Sequence, residues 1–334
     1  LTFNKNYEFM PSYASSKYTI GINSIPYYWG YIKDNGLERT VFNIRKRSIL
    51  NNFKKRRQLI GEPYNEVKDI DALVIGSDEV FSIEAGKTGA FYGYESPTPN
   101  IFSYAASYGP TTLEFINEKN AVEFIMNGLN HFKRISVRDM NSHNIVMQLT
   151  GQKVPIVCDP VFLYGYENER ISFTNPEKDQ YVLIYSYDNN MKEKEKVQNI
   201  ETFARENNFK IISAGFYHSW CDKNINVSPI ELLEYVNAAR MVFTDTFHGS
   251  VMSILFNVQF IAKVRTNANK LRFLLEEYNL LDRMTDQFAD INRITTQKID
   301  YESVNKTVKK KRQLGIEYIQ ECLENCGATS WQIT

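Results

Sequence analysis

Residues 240–255 have the pattern of a buried strand, a tight polar turn and the first turn of a helix. The apolar run ends at Thr244, and Asp245, His248 and Gly249 follow in the turn. A strand that leads directly into a helix is the repeating unit of parallel α/β sheets. In such sheets ligands bind at the carboxyl ends of the strands, where helix N-termini hold anions. This stretch therefore predicts an α/β chain with an anion site beside Asp245 and His248.

The same alternation of short apolar runs and amphipathic segments occurs twice along the 334 residues. In the first half the apolar runs are residues 71–75, 100–107, 134–138 and 154–158. The composition turns polar at 175–179, and the runs resume at 181–186, 209–214, 240–244 and 258–264. Two such halves predict an α/β fold of two Rossmann-like domains facing a cleft.

The expected domains are an N-terminal one over residues 1–170, a second over 171–300, and a C-terminal helix, 301–334, that packs back on the first. The first seventy residues show no convincing strand-to-helix unit. Because the chain begins at Leu1 rather than methionine, we expect its N-terminus to be incomplete.

Two helix starts are marked by local signals. Asp139 follows the run 134–138 and is expected to cap the next helix. Ser228 precedes Pro229 and stands three residues before Glu231, which is the pattern of a capping box with proline at the first helical position.

Charge and composition exclude several classes of protein. The 39 basic and 39 acidic side chains cancel, which argues against a nucleic-acid-binding protein. The basic clusters 43–47 and 54–57 are typical of a solvated helix face, with an anionic membrane surface or a diphosphate-bearing acceptor as the alternative contact.

The four cysteines lack the spacing of a zinc site, so we expect no metal and reduced thiols. No apolar run is long enough to span a bilayer and no signal peptide is evident, which favours a cytoplasmic protein, with the inner face of the membrane as a further option.

If the strands are parallel, the polar groups that follow them gather at one edge of each sheet. These groups are Ser77 and Asp78, Ser103 and Ser107, Arg138 and Asp139, Asp159, and Asp245 and His248. An arginine that ends an apolar strand needs a carboxylate, a phosphate or water. For Arg138, pairing with Asp139 or Asp159 and binding of a ligand are both open at this stage.

A set of short motifs in a fixed order resembles the polysaccharide pyruvyl transferase family over residues 70–285. The motifs are Ile-Gly-Ser-Asp at 75–78, Ser-Tyr-Ala-Ala-Ser at 103–107, Ser-Val-Arg-Asp at 136–139, Asp-Pro-Val-Phe at 159–162, Ser-Pro at 228–229 and Thr-Asp-Thr-Phe-His-Gly-Ser at 244–250. The resemblance implies a GT-B-like fold. It also implies transfer of pyruvate from phosphoenolpyruvate onto a sugar as a ketal, in the synthesis of bacterial exopolysaccharide or capsule for the cell envelope.

The implied reaction assigns roles to the residues at these turns. Phosphoenolpyruvate serves as co-substrate, with no cofactor, and the acceptor is a polysaccharide or lipid-linked glycan. His248 is the expected general acid or base, with Asp245 or Asp78 orienting it or activating the sugar hydroxyl. The expected donor-binding groups are Arg138, the backbone N–H groups of Gly249 and Ser250, Lys270, Ser103 and Ser77.

One position departs from the family pattern. Some members have arginine two residues before the histidine, where this chain has Thr246. Lys270 or Arg272 are the candidates to supply that charge. Two alternatives therefore stay open, a nucleotide-sugar glycosyltransferase of GT-B type and a non-catalytic glycan-binding or assembly relative.

Overall fold

The computed structural model describes residues 1–10, 32–34, 36–264, 269–286, 288 and 291–326, which form two compact units. Unit 1 contains the described residues of 1–10, 59–164 and 308–326. Unit 2 contains those of 32–58 and 165–307. The parts of the expected domains that fall on residues 11–31 and 327–334 lie outside the described residues.

Nine strands form from the described residues, and every pair of neighbours is parallel. They are β1 (Leu73–Ile75), β2 (Ile101–Ser103), β3 (Phe132–Arg134), β4 (Tyr181–Tyr185), β5 (Lys210–Ala214), β6 (Lys223–Ile225), β7 (Met241–Thr244), β8 (Phe260–Lys263) and β9 (Met284–Thr285).

Helices connect these strands, as parallel pairing requires. Those with described bounds are α1 (Leu37–Arg56), α2 (Leu113–Glu118), α3 (Val122–Leu129), α4 (Met140–Thr150), α5 (Pro160–Tyr164), α6 (Glu167–Ile171), α7 (Lys194–Glu206), α8 (Pro229–Ala238), α9 (Phe247–Leu255), α10 (Asn269–Glu277), α11 (Ile291–Thr296) and α12 (Tyr301–Glu324). Gly89–Tyr92 and Leu281–Arg283 are short 3-10 helices.

Unit 1 is built on the sheet β1-β2-β3. Beyond the strand ends, single bridges continue the same order from Asp78 to Ala106, from Ala106 to Val137 and from Val137 to Ile156. The prediction of strands at 134–138 and 154–158 is thus wrong in its bounds: β3 ends at Arg134 with a single bridge at Val137, and 154–158 forms only a single bridge at Ile156. The chain bends where β1 and β2 end, at Asp78 (φ 59°) and Ala105 (φ 52°), and regular pairing stops there.

The C-terminal part of α12 packs on the β2 side of unit 1. Tyr318 is buried and its hydroxyl donates to the Ser103 carbonyl at 2.8 Å. Gly315 permits this close approach, because a Cβ there would stand 2.6 Å from the Tyr104 hydroxyl oxygen. Burial of Phe102, Tyr104 and Tyr318 in one apolar cluster stabilises the contact.

Unit 2 is built on a six-stranded sheet of order β6-β5-β4-β7-β8-β9. The chain runs outward from β4 through β5 to β6, and then continues from β7 through β8 to β9 on the other side of β4. The neighbours β4 and β7 therefore form a topological switch point. In open parallel sheets the crevice outside the carboxyl ends of such strands is where ligands bind.

Helix α1 belongs to unit 2, although the sequence analysis placed its residues in the first domain. Arg39 forms an ion pair with Asp188 at 3.0 Å, and the Tyr217 hydroxyl donates to Glu38 at 2.6 Å. In α1 only Thr40 and Phe42 are buried. A helix that buries so little shows no clear apolar stripe, which is why the sequence pattern did not reveal it.

Among the described residues, no helix combines the length and the apolar composition that crossing a bilayer requires.

Candidate functional site

The turn after β7 lies at the switch point of unit 2 and is closed by threonine hydroxyls. Thr246 is the N-cap of α9, and its side chain accepts a hydrogen bond from the Gly249 N–H at 2.9 Å. The Thr244 hydroxyl donates to the Tyr185 carbonyl at 2.7 Å and accepts from the Thr246 N–H at 3.0 Å. At the position where some family members have arginine, this chain therefore has a helix cap.

The capping geometry involves two groups that are expected to bind phosphoenolpyruvate, the backbone N–H groups of Gly249 and Ser250. The Gly249 N–H is engaged by Thr246, and the Ser250 N–H bonds the Thr246 carbonyl at 3.4 Å. Ser250 is fully buried. Both groups hold the first turn of α9 in shape, and their contact with a substrate anion stays a prediction.

Gly249 is required by close packing. A Cβ at this position would lie 2.1 Å from the Thr244 hydroxyl oxygen. We expect Gly249→Ala to lower the free energy of unfolding by about 1–3 kcal/mol, because the clash pushes α9 away from β7. Urea unfolding measures this loss. Gly61→Ala is the control, since its nearest neighbour would be 3.4 Å away, and equal stability losses in the two variants would contradict the packing argument.

Asp245 positions the loop that follows β4. It is 3% exposed, and its carboxylate accepts from the Tyr187 N–H at 3.2 Å and from the Asn190 side chain. The buried Lys263 ammonium binds the other side of this loop through the Asn190 carbonyl and through Glu193 at 3.1 Å. Asp245 thus fixes the shape of the crevice between β4 and β7.

His248 and Lys270 lie close to the same aromatic ring at the start of α9. The His248 ring meets Phe247 edge to face at 5.4 Å between centroids, and His248 is half-buried. The Lys270 ammonium stands 5.8 Å from the Phe247 ring centroid. Arg272, the other expected cation, is exposed on α10. Of the two expected cations, Lys270 is therefore the one found near the start of α9, and its role beside His248 stays a prediction.

His218 is a site residue that the sequence analysis missed. It follows β5, is 2% exposed and lines a cavity at the same edge of the sheet. Its Nε2 pairs with the Ser186 carbonyl at 3.0 Å, which identifies this nitrogen as the protonated one. The sequence did contain a signal for His218, because it is a polar residue that soon follows the predicted strand 209–214.

Burial lowers the pKa of His218, against the raising effects of the Ser186 carbonyl and of Asp188 and Asp245. The folded state therefore binds this proton less tightly than the unfolded chain does. The stability linked to His218 is complete above about pH 6.5 and is lost as the pH falls through the lowered folded value. We expect His218→Asn to show a shallower fall in the free energy of unfolding below about pH 6.5, measured by urea titration at several pH values. Superimposable pH profiles would contradict this.

The expected site residues of unit 1 form a buried ion cluster. Arg138 is 4% exposed, and its guanidinium binds Asp159 at 2.7 Å and Asp78 at 3.0 Å. Burial lowers the pKa of Arg138, and the carboxylates of Asp159 and Asp78 more than offset this, so the pKa lies above its ordinary value. Arg138 thus binds carboxylates of its own chain, and a contact with phosphoenolpyruvate stays a prediction.

Asp78 is the member of this cluster that solvent reaches, with 60% of its side chain exposed. It follows Gly76 and the half-buried Ser77 in a turn with left-handed backbone. Aspartate tolerates that conformation better than most residues, and strained positions of this kind concentrate at functional sites. Of the three residues in this ion cluster, Asp78 is therefore the one open to solvent, and its contact with a substrate stays a prediction.

Other expected polar residues have structural roles. Asp139 caps α4 through Ser142, as predicted, and also accepts from the Ser107 hydroxyl at 2.6 Å. Ser103 has no exposed surface, and its hydroxyl donates to the Ser136 carbonyl at 2.9 Å. Ser103 is thus engaged within unit 1, and its expected place in the donor site stays a prediction.

The structure groups the expected site residues by unit. Ser77, Asp78 and Arg138 lie in unit 1, whereas Asp245, His248, Gly249, Ser250 and Lys270 lie in unit 2. Within the described ranges, no cluster of three or more histidine, cysteine, aspartate or glutamate side chains could hold a metal ion.

Two Rossmann-like units with parallel sheets define a protein of the GT-B class. A putative UDP-N-acetylglucosamine 2-epimerase from Listeria monocytogenes has a similar fold, with a TM-score of 0.53 and 9% identity over 88% of this chain and 82% of that chain. The UDP-GlcNAc 2-epimerase of Methanocaldococcus jannaschii gives a TM-score of 0.47 and 13% identity, covering 80% and 77% of the two chains. No curated protein sequence matches significantly.

The family model for polysaccharide pyruvyl transferase matches residues 6–265, and the chain belongs to that family. The resemblance carried by the short motifs is confirmed.

Proposed function

We propose that this protein transfers pyruvate from phosphoenolpyruvate to a sugar of a polysaccharide or lipid-linked glycan, forming a ketal. The observation that carries the proposal is the turn at the switch point of unit 2. There the His248 ring contacts the Phe247 ring at the start of α9, and the Lys270 ammonium lies 5.8 Å from the centroid of that same ring. A cation and a titratable imidazole at one helix N-terminus are the groups that a phosphorylated enol acid needs.

The reaction requires three proton movements, one onto the enol methylene and one from each of two sugar hydroxyls. A proton reaches the enol methylene while one sugar hydroxyl oxygen bonds to the central carbon and loses its own proton. The bond between that carbon and the phosphate oxygen then breaks and inorganic phosphate leaves. The second hydroxyl oxygen bonds to the same carbon and its proton passes to the departing phosphate, which closes the ketal. His248 gives or takes the proton, and Lys270 stabilises the phosphate. The exposed carboxylate of Asp78 is our candidate to activate the hydroxyl.

Binding of the donor tests this proposal. We expect phosphoenolpyruvate to raise the melting temperature, because a ligand that binds only the folded state stabilises it. Lys270→Met should reduce the shift, whereas Arg272→Met, its exposed neighbour on α10, should leave it unchanged. Stabilisation by nucleotide sugars alone would overturn the proposal in favour of a glycosyltransferase. Donor binding without release of phosphate, with any glycan acceptor supplied, would favour the non-catalytic relative.

We further propose that the basic part of α1 contacts the anionic inner face of the membrane. Residues 45–57 contain seven basic and no acidic side chains, and all but Lys46 of these basic residues are exposed. Ile44, at 56% exposure, adds an apolar group to this surface. Clusters of this kind bind anionic lipid with about 1 kcal/mol for each basic residue.

We expect the protein to sediment with phosphatidylserine vesicles at low salt and not with phosphatidylcholine vesicles. The triple variant Lys54→Glu, Lys55→Glu, Arg56→Glu should lose this binding. The control changes the net charge equally on α12, through Lys306→Glu, Lys309→Glu and Lys310→Glu. Equal losses in both triple variants would show that net charge alone governs the binding.

A further inference from the structure

A cavity of about 380 Å³ lies in unit 2, beside the loops that follow β4 and β5. The first turn of α1 closes it on one side. Its volume falls in the range of small-ligand sites in proteins. The loop after β4 links this cavity to the catalytic turn, because Asp245 accepts from the Tyr187 N–H and Asp188 lines the cavity.

The polar groups of the cavity are held in place by one another. The Arg39 Nε binds Asp188 at 3.0 Å, and its Nη2 reaches the Asn189 side chain at 3.3 Å. The second oxygen of Asp188 accepts from the Tyr217 N–H at 3.2 Å. The side chains of Arg39 and Asp188 are only 13% and 16% exposed. Such preorganised groups bind a ligand without the entropic cost of ordering flexible side chains.

The charges in the cavity argue against an anionic ligand. Among the described lining residues, Asp34, Glu38 and Asp188 are acidic, whereas Arg39 and Lys192 are basic. Burial lowers the pKa of His218, which favours its neutral form. With one more negative than positive group, the cavity suits a neutral molecule that can both donate and accept hydrogen bonds.

Two aromatic side chains complete the lining. Trp220 is fixed by its indole N–H, which donates to the Met191 carbonyl at 3.1 Å. The Tyr217 hydroxyl donates to Glu38 at 2.6 Å. An aromatic ring face is apolar and electron-rich, so it attracts the weakly positive C–H groups on one face of a pyranose ring.

We infer that this cavity binds one neutral sugar ring, with Asp188 and Glu38 accepting from its hydroxyls, Arg39 donating to them, and Trp220 packing against its C–H face. The inference rests on the proposed function in naming that sugar as the acceptor. It separates the two substrates by charge: the anionic donor goes to Lys270 and His248, and the neutral sugar goes to the cavity.

Saturation-transfer NMR with the methyl glycosides of galactose, mannose, glucose and N-acetylglucosamine tests this assignment. We expect saturable binding of at least one of them to the 334-residue chain. Trp220→Ala should weaken that binding by about tenfold or more. Phe209→Ala is the matched control, because Trp220 and Phe209 are both partly buried against the same apolar cluster. It should lower stability without weakening sugar binding.

A second variant keeps the test independent of folding. Ser219 is an exposed residue of the cavity lining, and none of the hydrogen bonds described above uses its side chain. Ser219→Trp should fill the cavity and abolish sugar binding with little change in melting temperature. Absence of saturable binding by all four glycosides, or binding that survives both Trp220→Ala and Ser219→Trp, would overturn the inference.

The donor measurement separates this inference from the proposed function. If phosphoenolpyruvate stabilises the protein but the affinity for sugar is the same in both cavity variants as in the parent protein, the cavity assignment fails and the transferase proposal stands. If sugar binding is lost in both variants but phosphoenolpyruvate does not bind, the cavity is a sugar site and the transferase proposal fails.

Discussion

Replacing His248 with alanine is expected to lower the rate of pyruvate transfer about 10²- to 10⁴-fold, the usual contribution of a general acid or base. The side chain is half-buried in the first turn of α9, so the melting temperature should stay nearly unchanged. The measurement is phosphate release from phosphoenolpyruvate in the presence of the acceptor, at saturating concentrations of both substrates. A fall in kcat with little change in KM would identify an interaction made in the transition state.

A matched control for this variant is His143→Ala. His143 is partly buried in unit 1, and its Nδ1 pairs with the Val154 carbonyl at 2.7 Å. We expect its loss to cost some stability and to leave kcat unchanged. Near-normal turnover of His248→Ala would exclude this histidine from the chemistry.

Replacing Arg138 with alanine is expected to destabilise unit 1 by about 3–5 kcal/mol, because it leaves buried Asp159 without its cation. Asp159 is 3% exposed, so the uncompensated carboxylate stays in the interior. The measurement is urea unfolding at neutral pH.

The control for Arg138→Ala is Lys306→Ala on α12. Its ion pair with Glu302 is 2.8 Å long, but the two side chains are 75% and 83% exposed. Surface pairs of this kind contribute below about 1 kcal/mol. If Arg138→Ala kept the parent stability and raised only the requirement for phosphoenolpyruvate, the arginine would be a substrate ligand rather than a structural ion-pair residue.

Features that depend on neighbouring residues were predictable from the sequence. The capping box of Ser228 and Glu231 and the cap of α4 by Asp139 occur as expected. The strand, turn and helix over residues 240–255 also form as predicted, since apolar runs and capping side chains act over a few residues.

Pairing over long sequence separations was not predictable. From the sequence, Arg138 could pair with Asp139, with Asp159 or with a ligand. Only the fold shows that its guanidinium binds Asp159 and Asp78. Helix α1 and its Arg39 gave no periodic signal, so the cavity that Arg39 lines was missed, together with His218.

The sequence by itself determined the parallel α/β units and the turn that carries Asp245, His248 and Gly249, because those depend on local order along the chain. Only the tertiary structure decided which charges neutralise each other and which stay available to substrates. Thr246 caps α9 through a contact with residues that follow it closely in the chain, so this contact is local. The approach of Lys270 to Phe247, in contrast, comes from the packing of α10 near α9. The physical reason is that Coulombic pairing and burial depend on distances in space, which a linear pattern does not contain.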